Sequence, residues 1–144
     1  MTVIVDSGVF YAHADTDATR HDTAVRAFDA VIDGDEGQPY VSDYLYDEAV
    51  TLTLSRTGSF EHAKRVGRRI RGATGYPDLV TLEHVDRSVF RDAVDTFERF
   101  DDQGLSFTDA TTIALLEKRD IDAVLSFDDD FDGIVDRVDP ADLG

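Results

Sequence analysis

The chain has 144 residues, 42% of them apolar, which is enough for a real core in one compact domain spanning 1–144. It has no cysteine, which excludes a disulfide framework or a thiolate zinc site and leaves any metal to oxygen or imidazole ligands. The formal net charge is −17, built from 25 Asp and 6 Glu against 12 Arg and 2 Lys, far beyond the roughly 2 to 8 charges that keep a small domain soluble.

High salt screens repulsion among surface carboxylates, and this composition resembles that of proteins from salt-saturated cytoplasms. A halophilic archaeal source is therefore expected, and most of the acids read as solvated surface. Any acid with a function must stand out by position. The opening residues MTVIVDSG carry no basic lead-in and no long apolar run, so neither a signal peptide nor a membrane span is expected, and a cytoplasmic location is the default.

In chain order, Val3 to Val5 form a β-branched run that reads as a buried strand, with Asp6-Ser7-Gly8 as its exit turn. Residues 18–32 read as a helix with Ala24, Val25, Phe28, Val31 and Ile32 on one stripe, ended by Gly34. Pro39-Tyr40-Val41 is a second strand. Ser42 or Asp43 caps a helix running to about Arg56 and stopped by Gly58. A further helix spans about Ser59 to Arg71, and Leu79 to Leu82 read as a strand. Then come a helix over about Arg87 to Phe100, a break at Asp101-Asp102-Gln103-Gly104, a helix over Phe107 to Lys118, and a strand over Ala123 to Phe127. Strands alternating with helices predict an α/β sandwich with a short, mostly parallel central sheet, whose ligand site lies beyond the carboxyl ends of the strands.

That rule separates a few acids from the rest. Asp6 ends the first strand and Asp128 follows the last, so parallel neighbouring strands would bring both to one sheet edge; each alone also reads as a turn or cap aspartate. Glu48 falls within the apolar stripe of Leu45, Ala49 and Leu52, where a carboxylate is costly unless it is paired or binds a cation. A buried hydrogen bond or a snorkelling side chain would explain it equally well. Asp109 opens the last long helix within Ser106-Phe107-Thr108-Asp109, which also reads as a capping box. Four carboxylates from separate segments suit a hard divalent cation such as Mg²⁺ or Mn²⁺.

Two other readings compete. Asp128, Asp130, Asp132, Gly133 and Asp139 approach the spacing of an EF-hand calcium loop, but a strand precedes them and Pro140 blocks a following helix. A receiver-type signalling domain would also place acids at strand ends, yet it wants a lysine after a late strand, and Lys64 and Lys118 both fall in helical segments.

The segments VIVDSGVFYA, SDYLYDEAVTLTLSRTG, LSFTDATTIALLEKRDID and AVLSFDDDFD occur in the order and approximate spacing of the PIN-domain ribonucleases, including VapC-type toxins, which the chain resembles from Val3 to Asp132. The resemblance implies a three-layer α/β/α sandwich and a Mg²⁺- or Mn²⁺-dependent endoribonuclease. Asp6, Glu48, Asp109 and Asp128 would surround one or two ions, with Asp130 the second choice for the fourth acid and Ser7 a supporting hydrogen-bonder. Water activated at the ions would attack phosphorus and leave a 3′-hydroxyl. RNA substrate, a cognate antitoxin and a homodimer are the implied partners; a PIN scaffold without activity is the remaining alternative. His21 is expected to serve the start of its helix.

Polyanion binding normally leaves a basic patch. Lys64, Arg65, Arg68, Arg69 and Arg71 put five of the fourteen basic residues within eight positions, with Lys64, Arg68 and Arg71 on one helix face. This row is the candidate contact for RNA or for an acidic partner; a solvated helix face would look the same.

Overall fold

The computed structural model describes residues 1–34, 38–73 and 75–143. Its strands are β1 (Val3–Val5), β2 (Pro39–Ser42), β3 (Thr81–Glu83), β4 (Ala123–Leu125) and β5 (Arg137–Val138). All pair in parallel, in the order β3-β2-β1-β4-β5. The helices are α1 (Ser7–Ala14), α2 (His21–Ile32), α3 (Asp43–Thr57), α4 (Phe60–Arg71), α5 (Arg87–Arg99) and α6 (Phe107–Lys118).

Strands β1 and β4 are uninterrupted apolar triplets because they lie inside the sheet and are covered on both faces, as parallel strands require. Val3, Ile4, Val5, Val124 and Leu125 have no exposed surface. Helix α1 packs on α2, α3 and α4, and α3 on α4, while α5 and α6 pack together, giving a three-layer α/β/α sandwich. Helix α3 reaches from the first group to touch α6. Val5 and Leu125 are in register, so both chains leave the sheet at the same level.

The structure departs from the expected elements at four places. The exit turn after β1 is instead the start of α1: Asp6 is extended and its carboxylate accepts the Ser7 backbone N–H, so the helix begins at once. An eight-residue helix is too short to declare itself by periodicity. Helix α2 starts at His21 rather than near residue 18, because Asp15 turns the chain by accepting the Asp17 N–H. His21 then ties that start to α1 through Nδ1 and the Ala12 carbonyl oxygen, 2.8 Å apart. Strand β3 is shifted to Thr81–Glu83 because its ladder with β2 begins at Tyr40 and Thr81, leaving Leu79 40% exposed beyond it. Strand β5 was not expected; two residues give no alternation to read.

The aspartate-rich stretch is not a calcium loop. It runs from β4 through a 3₁₀ turn at Asp129–Phe131 into β5, with no flanking helix on either side. Asp132 pairs with Arg137, and Asp139 caps a second 3₁₀ turn at Pro140–Asp142. Among the described residues no helix is long and apolar enough to cross a membrane.

Candidate active site

At the carboxyl end of β1, Asp6 is 8% exposed, and both of its oxygens are engaged. Oδ1 accepts the Ser7 N–H at 2.9 Å, and Oδ2 accepts the Ser126 hydroxyl at 2.6 Å. The same Ser126 oxygen accepts the Asp128 N–H at 3.0 Å, so one serine joins the ends of β1 and β4 and sets the distance between two carboxylates. Burial pushes the Asp6 carboxyl above its ordinary range against the pull of these hydrogen bonds, and the charges of Glu48 and Asp128 push it further.

Glu48 is half-buried on α3 and accepts the Ser7 hydroxyl. Its place in the apolar stripe is thereby explained locally: the side chain turns from the stripe's edge toward the end of β1. Asp109 sits in the first turn of α6 in a complete capping box, its N–H donating to Ser106 Oγ and its Oδ2 accepting the Ser106 N–H, both at 3.0 Å. The cap leaves Oδ1 available. Burial, then the charges of Asp6 and Asp128, raise this carboxyl to about 6. Asp128 opens the 3₁₀ turn and accepts the Asp130 N–H at 2.9 Å; its charge pushes the Asp130 carboxyl upward.

Asp6, Glu48, Asp109, Asp128 and Asp130 all line one cavity of about 810 Å³, together with Ser7, Ser106 and Ser126. Among the described residues none of the five carboxylates forms an ion pair. Like charges crowded at a partly buried site without a cation cost folding energy, and an oxygen-only donor set of this kind fits a hard divalent ion. Among the described residues, only Asp128, Asp129 and Asp130 have oxygens that all lie within 4.8 Å of one another; Asp6, Glu48 and Asp109 line the same cavity at wider spacing.

The basic row on α4 lies elsewhere. Lys64, Arg65, Arg68, Arg69 and Arg71 do not line the cavity; Arg69 stacks on Tyr76 at 5.2 Å and Arg71 donates to the Gly67 carbonyl near the end of its helix. The cations that do line it are Arg20 and Arg56. The Arg20 guanidinium lies 4.7 Å from the centre of the Phe127 ring, and that of Arg56 lies 5.3 Å from the centre of the Tyr11 ring. Sequence reasoning passed over Ser126, Arg20, Tyr11 and Phe127. A serine directly after a strand gave a usable signal; Arg20 in a loop gave none.

A parallel α/β/α sandwich with dispersed acids at the carboxyl edge of its central strands defines a class, and the PIN-domain family model matches residues 3–136. The chain belongs to the PIN-domain family. It is 30% identical over 132 residues to the 23S rRNA-specific endonuclease VapC20 of Mycobacterium tuberculosis, a match covering 90% of this chain and 91% of that protein. The crystal structure of M. tuberculosis VapC20, described as a sarcin–ricin loop cleaving toxin, aligns with a TM-score of 0.75 at 29% identity, covering 90% of this chain and 92% of that one. A toxin–antitoxin complex from Klebsiella pneumoniae aligns at TM-score 0.66 and 14% identity, over 96% of this chain and 97% of that one. FitAcB from Neisseria gonorrhoeae aligns at 0.65 and 13%, over 99% and 100%. These last two share the fold.

Proposed function

We propose that the chain is a Mg²⁺- or Mn²⁺-dependent endoribonuclease, working as a single domain and as the toxin of a toxin–antitoxin pair. One observation carries this reading: six carboxylates from five segments, the exposed Asp17 among them, line one open cavity with no cationic partner among the described residues. Asp6, Glu48, Asp109 and Asp128 would hold the ion, with Asp130 beside them. An ion held there would supply neutralisation of phosphate charge and a lowered water pKa.

The chain's own residues do the positioning. Ser126 fixes Asp6 relative to Asp128, Ser7 orients Glu48, and the capping box with Ser106 presents the free oxygen of Asp109 to the cavity. No serine, threonine or lysine nucleophile is required. The family's members include an rRNA-cleaving toxin, which supports RNA as the substrate and a structured rRNA loop as the first target to try. An inactive scaffold would have no use for buried acids whose carboxyls are pushed upward.

An antitoxin is the proposed partner, with the α4 row of Lys64, Arg65, Arg68, Arg69 and Arg71 as the surface offered to an acidic segment, and the chain is proposed to act as a homodimer in a salt-rich cytoplasm. The test is cleavage of single-stranded RNA with Mn²⁺. The parent should cut and EDTA should stop it, while Asp6→Asn and Asp109→Asn should each fall at least a hundredfold, about 2.7 kcal/mol in barrier, with unchanged circular dichroism. Variants that cut as fast as the parent at matched metal and salt would remove the assignment.

A further inference from the structure

We infer that Arg20 and Arg56 bind RNA phosphates on either side of the one the acids act upon, so that the site takes a strand of several nucleotides. The inference rests on the ribonuclease reading above. Acids outnumber basic residues 31 to 14 in this chain, and Arg119 and Arg137 find carboxylate partners. Arg20 and Arg56 share a cavity wall with six acids, yet among the described residues neither forms an ion pair.

Each instead lies over an aromatic ring. A guanidinium held over a ring, without a carboxylate partner, keeps N–H groups that can turn to phosphate through paired hydrogen bonds, even where, as at Arg56, one is shared with the Tyr11 hydroxyl. Tyr11 is itself fixed, its hydroxyl donating to Asp15 at 2.7 Å, so the platform under Arg56 is anchored from α1.

Their positions separate them from the reacting phosphate. Glu48, Leu52 and Arg56 recur every four residues along α3 and all line the cavity, which puts Arg56 about 12 Å of helix rise beyond Glu48. Arg20 rests on Phe127, between Ser126 and Asp128 just past β4. Helix α3 follows β2, and β2 and β4 flank β1 on opposite sides, so the elements that hold the two cations, α3 and the turn after β4, follow the strands on either side of Asp6. A cavity of about 810 Å³ has room for such a strand.

Steady-state kinetics on an oligoribonucleotide and on a dinucleoside monophosphate, which carries a single phosphate, test this. With the oligonucleotide, Arg20→Ala and Arg56→Ala should each raise KM about tenfold, with kcat within about threefold. Each should also flatten the slope of log(kcat/KM) against log salt by about 0.7, the share of one phosphate contact on a single strand. With the dinucleotide the penalty should shrink below threefold. Lysine replacements should restore the salt slope, because they keep the charge, and only part of KM, because they lose the fork. An unchanged KM on the oligonucleotide, or an equal penalty on both substrates, would overturn the inference while leaving the ribonuclease reading intact. A parent that cuts neither substrate would overturn both.

Discussion

Asp109 closes the cap of α6 with one oxygen and offers the other to the cavity, and its raised carboxyl shows what that costs the fold. The folded-state value near 6 lies well above the ordinary range of an aspartate carboxyl. Without metal, the ionised side chain therefore destabilises the folded protein above about pH 6. The penalty is relieved as pH falls through that value and is absent below about 4. Asp109→Asn keeps an acceptor for the Ser106 N–H and loses the charge. In EDTA at pH 7 it should be more stable than the parent by about 1 to 2 kcal/mol, less than the roughly 3 that the full shift corresponds to, because one oxygen faces the open cavity. Urea denaturation at pH 7 and pH 4 checks it: the difference should close at pH 4, and a constant difference would mean that the carboxylate is not strained. The cap was legible from Ser106-Phe107-Thr108-Asp109, because a capping box is local, whereas the proposed metal role of Asp109 came only with the other acids and the family resemblance. The Ser126 bridge was not legible, because it spans 120 residues of sequence.

Two glycines measure how the elements are stopped. Gly58 ends α3 and Gly72 ends α4, both left-handed with φ of 64° and 62°. A methyl group at Gly58 would meet nothing within 4 Å, whereas at Gly72 it would come within 2.7 Å of the Asp78 backbone. Gly58→Ala should cost about 1 to 2 kcal/mol for the conformation alone, and Gly72→Ala a further 1 to 3 for the collision. Equal losses in thermal or urea melts would show that the loop after α4 yields freely. Helices α3, α4, α5 and α6 were readable to within a residue or two, since serine and aspartate caps, glycine stops and apolar stripes agree there. Helix α1 was hidden because its apolar run continues that of β1, and β5 because its place is decided by pairing with β4.

At the scale of the whole molecule, the charge of −17 and the proposed RNA substrate pull in opposite directions. On the inference above, two exposed arginines on the cavity wall, each beside an aromatic ring, would reconcile them, while most other acids and the α4 row lie outside the cavity. At molar salt the Debye length falls to about 3 Å, so only cations in direct contact with phosphate still help. Alternating strands and helices foretold that acids from distant segments would share one sheet edge; the path of a strand across that edge was out of reach, since a loop arginine carries no periodic signal. The central claim is that these dispersed acids act as one metal site, and a Mn²⁺ titration followed by electron paramagnetic resonance tests it most directly. The account predicts that the parent binds Mn²⁺ and that Asp6→Asn and Asp109→Asn, though on different elements, each weaken binding at least tenfold. Binding that survives both substitutions and disappears in Asp130→Asn would place the ion on the Asp128–Asp130 turn alone and contradict it.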